Sequence, residues 1–336
     1  MNRGLIKRYW FLFCLILLIP VGIMLPDVGL TLKKSDWVIP VFVGIMLGIA
    51  GFTMDTSRLV KQSTHFRAVV PVLVSIYIFC PIAAYCLAKL LAPTGNQHFL
   101  PAMMIMAAQA GSLASAIALT MMSGGNRELA LVCTVMSNGL TFLLTPFILH
   151  LSIGPQEGFP VTELMQRMMY VVLLPIILGQ IIRYYVWEKT KPIRPFIRIV
   201  PQVIILMFVY IGFASGSEKL QEDINIVLRF LVACALLHLL LLGLNTFISG
   251  LLGLKWPERT AMILSGSQKT LPNGMDVWKK SFGENEYGAV PLVLYHLFQL
   301  LVDTLLVSRF EKLNPPGEEN GPGMEAPSGC NGGNQD

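Results

Sequence analysis

A lysine stands in the middle of an apolar run, in Ser265-Gly-Ser-Gln-Lys-Thr-Leu-Pro-Asn-Gly274. Ser267, Gln268, Lys269, Thr270 and Asn273 are groups that bind ions and polar solutes. The two glycines weaken a helix here, and Pro272 removes a backbone donor. A charge at the bilayer centre costs about 2.5–3.5 kcal/mol even on the most lenient insertion scale. Lys269 is therefore expected to face protein or a water-filled cavity, the only surroundings in which unwound backbone is tolerated at that depth. A purely structural lysine, paired with backbone carbonyls, is the competing reading.

Three more runs bring polar groups to a similar depth. Ala107-Ala-Gln-Ala-Gly-Ser-Leu-Ala-Ser115 sets Gln109, Ser112 and Ser115 three residues apart, on roughly one helix face. Gly111 and its small neighbours permit close packing or local unwinding. Thr134, Ser137, Asn138, Thr141 and Thr145 form one stripe, although such hydroxyls also bond back to their own helix. His296, Gln299 and Asp303 share a face of the last apolar run.

This is binding chemistry. No nucleophile–base or metal-ligand pattern emerges, and GxxxxGK[ST], HExxH and GxSxG are absent, so neither an enzyme nor an ATP motor is expected. Helices broken at mid-membrane expose N-termini that attract anions and C-terminal carbonyls that attract cations. With the fixed charge of Lys269, the expected substrate is a carboxylate-bearing organic anion. It would be moved by an ion gradient or passively.

The elements that must position these residues are membrane helices. Hydrophobic residues make up 54% of the chain and charged residues 13%, too few to coat a water-facing surface, and mean hydropathy is +0.62. Apolar runs over 9–26, 38–54, 68–93, 100–123, 127–150, 161–186, 197–215, 224–252, 258–281 and 286–308 fit about ten spans, exposed laterally to lipid. No cleavage site follows the first run, so it reads as a retained helix, not a signal peptide. With a cytoplasmic N-terminus, sixteen Lys and Arg fall on inner segments and eight on outer ones. The positive-inside rule then puts both termini in the cytoplasm of a cell (inner) membrane protein. The net charge of +5 gives no reason to expect nucleic-acid binding. None of the six cysteines forms a CxxC pair, so neither a disulfide framework nor a zinc site is implied.

The expected fold class is an all-α integral membrane protein. Two five-span units must be inverted relative to one another, as in many secondary transporters. The transmembrane domain covers 1–312, with repeat one at about 5–154 and repeat two at about 158–312. Residues 313–336, rich in Gly, Pro, Glu and Asn, read as a disordered cytoplasmic tail. In each half the fourth span is the unusual one.

These stretches resemble the bile acid:sodium symporter family, in its sodium/bile acid cotransporter 7-like branch. The resemblance is carried by Gly51-Phe-Thr-Met-Asp55, by Gly124-Gly-Asn126 running on to Leu144-Thr-Pro146, by Gly266-Ser-Gln-Lys-Thr-Leu271, and by Tyr295-His-Leu-Phe-Gln-Leu300. It spans nearly all of 5–312. It implies a panel domain (spans one, two, six and seven) beside a core domain (the other six), with unwound spans four and nine crossing. It also implies movement of core against panel, and bile acids, other organic anions or small carboxylates as solutes. No cofactor is implied beyond a sodium ion, and the positions that match the symporters' sodium ligands keep only Ser115, Thr134 and Gln268. Ala114, Ala130 and Leu264 replace the other ligands, Leu264 falling where the acidic residue belongs; Ile76 replaces a third-span Gln, and Lys269 follows Gln268 where the symporters have Asn. Lys269, with His296 or Asp303, is thus expected to replace sodium electrostatically or to carry protons. The alternative function is a non-transporting membrane regulator or scaffold, which has no need of a polar belt.

Overall fold

The structure, a computed structural model, describes residues 3–54, 66–153, 161–197, 199–218, 223–285 and 287–313. The expectations for Asp55, for the repeat boundary at 154–158 and for the tail from Asn314 lie outside the described residues. So do four of the basic residues counted for topology, Arg58, Lys61, Arg198 and Lys219.

Among the described residues all regular structure is helical. The first apolar run forms α1 (Arg3–Met24), which meets the short α2 (Asp27–Lys34) at 90°. There follow α3 (Val38–Thr53), α4 (Phe66–Leu91), α5 (Phe99–Ala107), α6 (Leu113–Met122) and α7 (Arg127–Ile153). After α8 (Val161–Val186) come α9 (Val200–Ser215), α10 (Ile224–Leu251), α11 (Trp256–Ser267), α12 (Pro272–Ser281) and α13 (Val290–Leu313). Of these, α4, α7, α8, α10 and α13 are long and apolar enough to cross a membrane; the bent α1–α2 pair makes a sixth.

Local chemistry explains several boundaries. Asp223 accepts hydrogen bonds from the amides of Asn225 and Ile226 and so starts α10. Asn126 does the same for α7 through the Leu129 amide at 2.9 Å. Inside α4 the backbone widens to a π-turn at Ser75–Phe79, just before Pro81. The Cys80 amide reaches Ser75 rather than Ile76, and Pro81 has no amide to offer. The Ile76 carbonyl is thereby released from its own helix.

The helices pack as two groups. α1, α2, α3, α8 and α9 contact one another, while α4–α7 and α10–α13 form the second body. The groups meet where α8 touches α7, where α12 touches α3 and α9, and where α9 touches α13. Only 11% of the apolar window of α8 is buried against 67% of that of α13, so α8 lies at the rim and α13 at the centre. Exposed Ile177 and Ile181 on α8, and Leu240 and Phe247 on α10, are the lipid-facing surface expected of such helices.

α3 and α8 approach through glycine. A Cβ on Gly179 would lie 2.2 Å from the Gly48 carbonyl oxygen, and one on Gly51 would lie 2.2 Å from that of Ile176. Gly179→Leu should therefore force the pair apart at a cost of about 1–3 kcal/mol, read as a lower melting temperature of the purified protein. An unchanged melting temperature would show that the two helices can separate freely.

Candidate functional site

The unusual spans are both broken. α5 ends at Ala107 and α6 begins at Leu113; α11 ends at Ser267 and α12 begins at Pro272. The two breaks touch, because the Thr270 amide donates to the Ala110 carbonyl at 2.9 Å.

An unwound strand inside a membrane protein must find partners for its own polar backbone. Here neighbouring side chains supply them. The Lys269 ammonium donates to the carbonyls of Ile76 (2.7 Å), Ala107 (2.8 Å) and Gln109 (2.9 Å). One of these is the carbonyl freed by the π-turn, and another ends α5, where the helix dipole favours a cation. Thr145 donates to Ala108 O at 2.6 Å, and Asn138 donates to Gly111 O at 2.9 Å. The Gly111 amide donates to Ser137 Oγ at 3.3 Å. Each carbonyl from Ala107 to Gly111 thus has a donor from outside its own helix.

The second break is held in the same way. Gln299 grips the Lys269 backbone on both sides, accepting from its amide at 2.8 Å and donating to its carbonyl at 3.0 Å. The Tyr295 hydroxyl donates to Ser267 O at 2.6 Å, and the Ser75 hydroxyl donates to Gly266 O at 3.2 Å. The hydroxyl of Ser267 itself turns back to Ile263 O at 2.8 Å.

The residues expected to form a site divide by what they touch. Lys269, Thr270, Gln299, Ser137, Asn138 and Gly111 hold the crossing together. Ser112, Ser115, Gln268 and Asp303 form a line: Ser112 Oγ to Ser115 Oγ at 2.6 Å, Ser115 Oγ to Gln268 Oε1 at 2.6 Å, and Gln268 Nε2 to Asp303 Oδ2 at 2.6 Å. Thr134 stands apart, its hydroxyl bonded to Ala130 O and Leu131 O of its own helix. Neither His296 nor Asp303 is a partner of the Lys269 ammonium. His296 Nδ1 is 2.9 Å from Gln299 Nε2, whereas Asp303 Oδ1 is 3.0 Å from His238 Nε2.

Several polar atoms at the crossing are buried with no partner in the protein: Gln109 Oε1, Asn138 Oδ1, Ser265 Oγ, His296 Nε2, and both Oδ1 and Nδ2 of Asn273. Gln109 packs against the start of α12, where a Cβ on Gly274, the residue after Asn273, would lie 3.2 Å from Gln109 Cγ. Buried polar groups ordinarily find partners, so these atoms are the candidates at the crossing for contact with water, an ion or a solute.

Sequence reasoning passed over His238, Tyr295, Ser75, Arg167 and Asp276. An ionisable residue inside an apolar run was the available signal for His238. Arg167 and Asp276 lie near span ends, where charges are ordinary. They form a bidentate pair, with Arg167 Nε at 2.9 Å from Asp276 Oδ2 and Nη2 at 2.6 Å from Oδ1, tying α8 to α12.

A multi-pass helical membrane protein with two touching broken helices and unpaired polar atoms around them has the architecture of a solute carrier. The chain belongs to the SBF-like CPA transporter family, which it matches over residues 9–312. It is 24% identical over 312 residues to sodium/bile acid cotransporter 7 of Mus musculus, covering 90% of this chain and 92% of that one. Sodium/bile acid cotransporter 7 of Danio rerio is 25% identical over 313 residues, at 90% and 93% coverage. The uncharacterized protein PA2026 of Pseudomonas aeruginosa is 25% identical over 308 residues, at 90% and 92% coverage.

Proposed function

We propose that this chain is a secondary transporter that moves an organic anion, bile acid-like or a small carboxylate, by alternating access. The observation that carries the reading is the pair of touching breaks with unpartnered polar atoms beside them. Asn273 opens α12, so its amide and the helix N-terminus offer donors to a carboxylate. Gln109 and His296 supply the rest of the polar lining.

In this reading the chain forms about ten spans as two inverted repeats, in the inner membrane with both termini cytoplasmic. α5 with α6 and α11 with α12 are spans four and nine. The first packing group is the panel and the second is the core. The domain assignment to 1–312 and the tail follows the same scheme.

Lys269 takes the part of a tethered cation. Carbonyls at the end of a half-helix are what a coupling cation would use, and the ammonium already fills them. The remaining sodium positions fit poorly, because Thr134 is turned to its own helix, Gln268 is engaged by Ser115 and Asp303, and Leu264 is apolar. Uptake should therefore continue without a sodium gradient.

Proteoliposomes loaded with the purified protein test this. Uptake of labelled bile acids, keto acids or other carboxylates is expected, with little change when sodium is replaced by potassium. Strict sodium dependence would overturn the tethered-cation reading. Failure to move or bind any anion would favour a regulator or scaffold.

A further inference from the structure

Away from the crossing, two opposite charges border one pocket without pairing. The pocket lies where the end of α4 meets the start of α10. Its volume is about 470 Å³, within the usual range for small-ligand sites. Leu91 and Pro93 form one wall. The other wall is a single helical face, because Asn225, Leu228, Arg229 and Val232 stand at i, i+3, i+4 and i+7 on α10. Asp223, the cap of α10, closes the rim.

Each charge is anchored by backbone instead of by a counter-ion. Asp223 accepts through Oδ1 from the Asn225 and Ile226 amides. Arg229 Nη1 donates to the Leu91 carbonyl at 2.9 Å, which ties the end of α4 to α10 and leaves most of the guanidinium's donors for a ligand. Side chains on a helix lean toward its N-terminus, so Arg229 reaches back toward Asp223. Among the described residues no ion pair joins the two. Leu228 and Val232 are exposed, and in a chain that spans a membrane an exposed apolar face of this kind meets lipid. Leu236 and Leu239 continue that face along α10 and are exposed as well. A Cβ on Gly243 would meet nothing within 4 Å, so the track stays open beyond them.

We propose that this pocket binds a phosphatidylethanolamine lipid, with the phosphate on Arg229 and Asn225, the ammonium on Asp223, and an acyl chain along Leu228, Val232 and Leu236. The order of charges selects the headgroup. A purely anionic headgroup satisfies Arg229 but brings no cation to the Asp223 carboxylate. A choline headgroup carries the positive charge but has no N–H to donate. Ethanolamine supplies both charges and three donors on its ammonium, a short link away from the phosphate. The bound lipid holds the end of α4 to the start of α10, two helices of the second packing group. The inference needs only a membrane-spanning chain and stands whether or not the carrier reading does.

A lipid competition on the full-length, delipidated protein in detergent tests it. Dioleoyl phosphatidylethanolamine, phosphatidylcholine and phosphatidylglycerol are added in equal amounts, and the adducts are weighed by native mass spectrometry. The ethanolamine lipid should lead the other two by about three- to fivefold, the scale of one partly exposed ion pair. Asparagine caps a helix as well as aspartate does, so Asp223→Asn keeps the start of α10 and should abolish the lead over phosphatidylglycerol. Arg229→Gln should lower all three adducts, since each lipid carries a phosphate. Leu228→Trp fills the pocket with both charges in place and should also lower all three, which covers the case of a charge variant that does not fold. Equal adducts of the three lipids in the wild type overturn the proposal, and a lead for phosphatidylglycerol replaces it with an anionic-lipid site. A lead for the ethanolamine lipid that survives both Asp223→Asn and Leu228→Trp puts the lipid elsewhere on the protein and overturns the pocket.

Discussion

Replacing Lys269 by alanine should both weaken the fold and abolish uptake, and sodium should then restore part of the lost stability. Three carbonyls converge on the ammonium at 2.7, 2.8 and 2.9 Å, and the residue is 2% exposed. Hydrogen bonds to a charged group contribute about 1.5–3 kcal/mol each. Three of them outweigh the roughly 2.5–3.5 kcal/mol cost of placing lysine at mid-membrane. Alanine removes the donors and leaves the carbonyls buried and unpaired, for a net loss of about 2–5 kcal/mol. The melting temperature of the purified variant should fall accordingly. A cage of carbonyls without its ammonium is attractive to a small cation, so raising sodium should stabilise Lys269→Ala and leave the wild type unchanged. Lys269→Arg should recover little, because a planar guanidinium spreads its donors and cannot serve one convergent point. A variant that melts like the wild type would remove the clamp from the account, and one that transports like it would remove Lys269 from the carrier.

This changes how the residue reads from sequence. Its depth, the two glycines beside it and Pro272 mark an unwound segment, and the structure has a break there. Helix positions were legible because apolar runs have a fixed length in a bilayer. The expected runs at 100–123 and 258–281 correspond to α5 with α6 and to α11 with α12. What the ammonium touches was not legible. Ile76 offers its carbonyl only because a π-turn and Pro81 free it, and backbone carbonyls leave no mark in a pattern of side chains. The stripe of His296, Gln299 and Asp303 was found by spacing, yet it divides, because Asp303 turns toward a histidine sixty-five residues away in the chain. Periodicity reports which face a residue occupies, and only packing decides which helix that face meets. The 90° bend after α1 was missed for a related reason, since α2 is polar enough to read as a loop.

Opening either half of the Arg167–Asp276 pair should release α12 from α8 and shift the carrier toward exposure of its site on that face. Asp276 is 3% exposed and receives two charge-assisted bonds, at 2.9 and 2.6 Å. Two further ties join α12 to the first packing group. Lys279 Nζ lies 3.3 Å from Asp36 and donates to the Ser35 carbonyl, and Lys33 stands 4.7 Å over the Trp278 ring. If core moves against panel, all of these contacts must break in each cycle. Arg167→Gln strands a buried carboxylate, which costs about 2–5 kcal/mol where such a pair is closed off from water. The guanidinium side is 26% exposed, so the lower end applies, about 2 kcal/mol. That shifts a two-state equilibrium about thirtyfold. Labelling by a membrane-impermeant maleimide reads the shift, with a cysteine at position 273 and the native cysteines replaced. Arg167→Gln and Asp276→Asn should each label faster than the parent. The exchange Arg167→Asp with Asp276→Arg should recover much of the parent rate, since it restores opposite charges across the same gap. Labelling and uptake at parental rates in both single variants would make the pair an ordinary surface contact worth little. Faster labelling in the singles and slower labelling in the exchanged pair would identify α8 and α12 as the two sides of a gate.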